Sequence, residues 1–118
     1  MQNSIKIIFI FLLFFVTNVE AKYKTHITKE KKGQKYYLNR CSACHGDGNR
    51  GGNMNSMNEW EDLFKNDAKE LIELHTNEDN TDDVIKYLKS SDFKNEKKRM
   101  LKFIKEFAYD SETIPTCN

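Results

Sequence analysis

The sequence predicts an all-α, single-domain fold. Apart from one Gly- and Asn-rich stretch, every strongly patterned segment of the 118 residues carries its apolar side chains at helical period. Nothing around its paired cysteines reads as a strand, and the chain has no internal repeat, no heptads and no low-complexity tract.

Residues 1–21 read as an export signal and not as part of the fold. Lys6 gives a short basic start, residues 7–16 form an unbroken apolar run, and Val19-Glu20-Ala21 leads to a cleavage point after Ala21. An apolar run of about ten residues is too short to cross a bilayer, and no cysteine stands at the cleavage point to carry a lipid. The expected location is the periplasm or an equivalent extracytoplasmic space, with no stable membrane insertion after cleavage. Residues 22–118 then form one small domain with a modest core, expected over about residues 30–90, followed by a C-terminal helix and tail over 91–118. A formal net charge of +1 gives no indication of a nucleic-acid partner. The basic run Lys29, Lys31, Lys32 and Lys35 reads as a solvated helix start.

The first helix is expected over about residues 29–44, with Tyr36, Tyr37, Arg40 and Cys44 recurring on neighbouring turns until Gly46 and Gly48 stop it. Residues 46–58, with Gly51-Gly52 at their middle, read as loop. Asn58 is the expected cap of a helix that opens Glu59-Trp60-Glu61-Asp62, with acids in the first turn as the helix dipole prefers. Trp60, Leu63, Phe64, Leu71, Leu74 and His75 supply its apolar side, interrupted by a polar break near Asn66-Asp67. After a turn over 76–80, Thr81 caps a short helix whose buried face is Val84, Ile85 and Leu88, with Tyr87 beside them. Residues 90–92 start the last helix, in which Phe93, Met100, Leu101, Ile104, Phe107 and Ala108 keep the period to about Tyr109, before Pro115 ends any continuation.

The run Cys41-Ser42-Ala43-Cys44-His45 is the strongest functional signal. C-x-x-C-H is the attachment site of a c-type haem: two thiols add across two vinyl groups of one porphyrin, and the adjacent imidazole binds its iron. The spacing suits that chemistry, because two intervening residues put both sulfurs on one face of a helical turn. A structural zinc needs a second ligand pair, whereas Cys117, His26 and His75 are scattered singly. A redox C-x-x-C follows a strand, and none is predicted here. Cys41 and Cys44 are therefore the expected covalent haem anchors and His45 the proximal iron ligand, with one haem c per chain. Cys117 has no partner in this scheme.

With that motif in place, the chain resembles a class I monohaem cytochrome c. Gly33, Tyr36, Tyr37, Cys41, Cys44, His45 and Gly46 match that family's N-terminal helix and haem motif, and Val84-Ile85-Lys86-Tyr87-Leu88 is similar to its later aliphatic-x-x-aromatic-Leu helix. Asn58-Glu59-Trp60 also resembles a Glu-Trp helix start found in short members. The resemblance covers roughly residues 30–90 and implies a small helical domain wrapped around one covalent haem. It also implies that Gly33, Tyr37 and Tyr87 form a close helix crossing. The chain departs from the family at two points. No methionine lies between Met57 and Met100 to serve as the usual sixth ligand. Residues 91–118 either extend beyond the family core or supply the true final helix, in which case the match at Tyr87 is accidental.

Among the candidates for the sixth iron ligand, His75 comes first, ahead of Met100, Met54 and Met57 and an open site. It ends the helix before Thr81, close to where the family's ligand loop should lie, and is the only suitable donor in that stretch. Met100 falls within a helical apolar stripe and reads as core. His26 reads as solvated. Trp60 and Arg50 are candidates to hold a haem propionate. These readings imply a carrier of single electrons between redox partner proteins, with no residue in an acid–base role. A haem enzyme or sensor with an open sixth position, and a fixed cytochrome subunit of a respiratory complex, are the alternatives.

Overall fold

Eight short helical elements follow one another in the computed structural model, which describes residues 25–112 and contains no strand among them. The expected export signal, Pro115 and Cys117 lie outside the described residues. The helices are α1 (Lys31–Arg40), α2 (Ser42–His45), α3 (Gly48–Gly52), α4 (Met57–Phe64), a 3-10 turn (Asn66–Ala68), α5 (Lys69–Thr76), α6 (Asp82–Leu88) and α7 (Ser91–Glu106). None of them is long and apolar enough to cross a membrane.

Antiparallel helices can approach closely only where side chains leave room, and α1 meets α7 at Gly33. A Cβ on Gly33 would overlap the Arg99 carbonyl on α7. The crossing partner is thus α7 and not the helix carrying Tyr87, which corrects the expectation drawn from the Val84-to-Leu88 match. On α7, Met100, Phe103 and Ile104 are all buried. Tyr87 packs elsewhere: the Arg40 guanidinium lies 4.2 Å over its ring, and its hydroxyl donates to Glu96 at 2.6 Å. Burial, reinforced by the Glu96 carboxylate, pushes its pKa up.

The first helix breaks at Cys41, whose φ of −121° is not helical, so that the expected single helix over 29–44 is two pieces. Within the expected loop, α3 forms on the side chain of Asp47, which accepts from the Arg50 N–H at 3.1 Å. Its glycines let backbone lie directly on aromatic rings. A Cβ on Gly51 would run into the Tyr37 hydroxyl, and one on Gly52 would press on Phe107. Ser56, not Asn58, caps α4. Its hydroxyl accepts from the Glu59 N–H at 3.1 Å while Glu59 accepts from the Ser56 N–H at 2.7 Å, a reciprocal pair that satisfies two otherwise orphan donors.

The predicted polar break at Asn66-Asp67 is real. Asn66, Asp67 and Ala68 all take positive φ, between 51° and 57°, and turn α5 away from α4. Thr81 does not cap α6 with its side chain. Its hydroxyl donates instead to the carbonyls of His75 at 2.7 Å and Glu78 at 2.9 Å, closing the turn back onto the end of α5. The last helix starts where expected, with Ser90 as its cap, accepting from the Phe93 N–H at 3.3 Å. The core is mostly aromatic: Tyr37, Trp60, Phe64, Tyr87, Phe93, Phe103 and Phe107 pack around Met100, which is core as its period predicted.

Replacing Gly33 by Val should lower stability by about 1–3 kcal/mol, the usual cost of overpacking, measured by thermal or denaturant unfolding. An unchanged midpoint would remove the α1–α7 contact from this account. The Ser56 N–H and hydroxyl hold the Glu59 carboxyl below its ordinary value. A depressed folded pKa contributes stability above the unfolded pKa and loses it as pH falls through the folded one. The stability advantage of wild type over Glu59→Gln should therefore be present at neutral pH and vanish on acidification below the usual carboxylate range. An advantage independent of pH would contradict the capping assignment.

Candidate functional site

Cys41, Cys44 and His45 occupy a single turn. The N–H groups of Cys44 and His45 both donate to the Cys41 carbonyl, at 3.3 and 3.0 Å, so the three side chains issue from one rigid unit. Ser42 locks that unit to α1 by donating from its hydroxyl to the Leu38 carbonyl at 2.5 Å. On the far side, the Tyr37 hydroxyl donates to the carbonyls of Gly46 at 2.9 Å and Asp47 at 3.3 Å. The segment after His45 is thereby pinned to the α1–α7 crossing. Cys44 is exposed and Cys41 half-buried against the core. Burial pushes the Cys41 thiol up to about 12, against the pull of the Arg40 guanidinium.

His75 arrives from a different part of the chain, the last turn of α5. The imidazoles of His45 and His75 meet with ring centroids 6.0 Å apart. The Nδ1 of His75 lies 2.7 Å from the Leu71 carbonyl, an acceptor, so Nδ1 carries a proton, and in the neutral ring Nε2 is the nitrogen with the lone pair. This is how metal-binding histidines are commonly oriented, with the other ring nitrogen tied to a carbonyl or carboxylate. Burial, and then the neighbouring His75, lower the pKa of His45 and favour its neutral form, which is the form that binds a metal.

The surroundings are apolar but not closed. No residue of α5 is fully buried: Leu71 and Ile72 are half-buried and Leu74 is 58% exposed, contrary to its expected place on the buried side. Val84 and Ile85 on α6 are also only half-buried. Two shallow recesses elsewhere, of about 180 Å³ beside Glu30, Lys98, Arg99 and Lys102 and about 200 Å³ beside Asp67, Ile72, Leu88, Lys89, Phe93 and Lys94, contain no histidine or cysteine. Among the described residues, no group of three or more His, Cys, Asp or Glu side chains is placed to hold a metal ion by itself.

The donor set fits a haem. Two imidazoles with ring centroids 6.0 Å apart would offer an iron two nitrogens. Two thiols on the same turn as one of the imidazoles complete the set.

Other expected site residues are placed differently. The Trp60 N–H donates to the Gly52 carbonyl at 2.8 Å, so it is engaged within the core and not held for a propionate. Met54 is exposed and Arg50 lies at the surface, while Met57 is half-buried. His26, expected to be solvated, is buried. Its ring packs on Phe107 at 5.0 Å, its Nε2 lies 3.5 Å from the Asp47 carboxylate, and its backbone pairs with the Gln34 amide. The expectation failed because a polar sequence neighbourhood says nothing about α7 folding back over it. Compared with protein-family models, curated proteins and solved structures, the chain matches none.

The two thiols should differ in reactivity in the haem-free chain. A thiol pushed up to about 12 is ionised to roughly one part in ten thousand at pH 8. Alkylation at that pH should therefore modify Cys44 at least about ten times faster than Cys41, read by peptide mass spectrometry. Equal rates would contradict the placement of Cys41.

Proposed function

We propose that this chain is an extracytoplasmic carrier of single electrons, a small c-type cytochrome that would hold one haem through thioethers at Cys41 and Cys44, with His45 and His75 offering nitrogens to its iron. The observation that carries the reading is the meeting of the His45 and His75 imidazoles, ring centroids 6.0 Å apart, beside the turn that bears the C-x-x-C thiols. The haem, when bound, supplies the one-electron chemistry of an iron that alternates between ferrous and ferric.

The chain's own residues bind, orient and shield. Cys41 and Cys44 fix the group to the turn that α1 and Tyr37 hold in place. His45 offers a neutral nitrogen because burial disfavours its cation. His75 offers Nε2 because the Leu71 carbonyl holds the proton on Nδ1. Leu71, Leu74, Val84 and Ile85 present the apolar surface that a porphyrin would cover, and their partial exposure leaves an edge open to redox partner proteins. With His45 and His75 both bound to the iron, the haem would favour electron transfer over the binding of peroxide or a gas. Paired imidazoles set a lower potential than a His/Met pair.

The test is expression of the full chain with a cytochrome c maturation system. The haem should survive acid–acetone extraction, Cys44→Ala should lose the two-thioether pyridine haemochrome spectrum, and the ferric absorption spectrum should be low-spin. His75→Ala should convert that spectrum to high-spin. Haem that extracts freely overturns the proposal. A charge-transfer band at the red edge of the visible, the mark of a Met–iron bond, removes His75 as the ligand, and a high-spin wild type that binds carbon monoxide or cyanide favours the open-site alternative.

A further inference from the structure

The rings of His45 and His75 are crossed as well as close, with an angle of 84° between their planes. The structure fixes the His75 ring by a hydrogen bond and sets the His45 backbone by another. The Leu71 carbonyl, one turn back on α5, holds Nδ1 of His75 at 2.7 Å and so ties the plane of that ring to the helix that carries it. His45 is the last residue of α2, its N–H held by the Cys41 carbonyl at 3.0 Å, so its backbone is set by the turn that presents the two thiols. The two rings thus stand on separate helices, and rotating the His75 ring out of its plane would break the bond to Leu71.

We infer that the iron receives its two imidazoles with their planes nearly perpendicular, and that the Leu71 carbonyl is the positioning group that keeps them so. This inference rests on the haem reading above and specifies how the chain regulates the electronic structure of that site. An imidazole donates π density into the iron d orbital whose lobes stand perpendicular to its ring. Parallel rings act on the same orbital and split it from its neighbour. Crossed rings act on the two orbitals alike and leave them nearly degenerate. The protein thus tunes its metal through ring orientation, a lever that second-shell hydrogen bonding controls.

Electron paramagnetic resonance of the frozen ferric holoprotein, made from the full chain, tests this directly. The expected result is a strongly axial low-spin signal dominated by one large g value, lost in favour of a high-spin signal in His75→Ala. A rhombic low-spin signal with three well-separated g values, also lost in His75→Ala, overturns the crossed arrangement while leaving paired imidazole ligation standing. A high-spin wild type, or a low-spin signal that His75→Ala leaves unchanged, overturns the paired-imidazole reading itself and this inference with it.

Discussion

The close crossing of α1 and α7 at Gly33 is the constraint on which the rest of the molecule depends. Because a side chain there would overlap the Arg99 carbonyl, the two helices lie near enough for Tyr37 to reach beneath them. Its ring packs 5.5 Å from that of Phe103 and its hydroxyl ends at the carbonyls of Gly46 and Asp47. One aromatic side chain thus transmits the position of the crossing to the residues that immediately follow His45. The backbone of α3, bare of side chains at Gly51 and Gly52, closes over the same aromatic surface. The thiol-bearing turn is held at both ends, by the bond from Ser42 to Leu38 of α1 and by Tyr37 below it.

The second half of the site has a different footing. His75 sits on a helix with no fully buried residue, joined to the core through Ala68, which is wholly buried in a left-handed conformation, and closed at its other end by the Thr81 hydroxyl. A non-glycine residue in that conformation carries a cost of about 1–2 kcal/mol, which the burial of Ala68 and the redirection of α5 offset. The redirection is what returns the chain toward α2 and brings His75 to His45. A turn presenting two thiols and an imidazole is thereby faced by a second imidazole on a more loosely supported arm.

Much of this was legible in the sequence, and the boundary of legibility has physical causes. Helical period located α1, α4, α6 and α7, because each buries one face against a common core. Asn66-Asp67 announced its break through residues that tolerate left-handed backbone. Cys41, Cys44 and His45 stood out because their spacing is local, and His75 because it was the only suitable donor in its stretch. The partner of Gly33 was not legible: two helices, one ending near Tyr87 and one built on Met100, Phe103 and Ile104, carry compatible patterns, and only packing distinguishes them. The helix α3 was hidden by its own glycines, which read as loop when no aromatic surface is known to lie beneath them. The cap at Ser56 lost to Asn58 because both are good caps, and the reciprocal bond from Glu59 decided between them. His26 was misplaced because its burial depends entirely on α7, far along the chain.

The proposal that most needs a direct test is that His45 and His75 both bind one haem iron. X-ray absorption at the iron edge of the ferric holoprotein measures it most directly. The account predicts a six-coordinate shell made of nitrogen alone, four from the porphyrin and two from His45 and His75, with no sulfur scatterer. A sulfur in the first shell, or a five-coordinate iron, would contradict it.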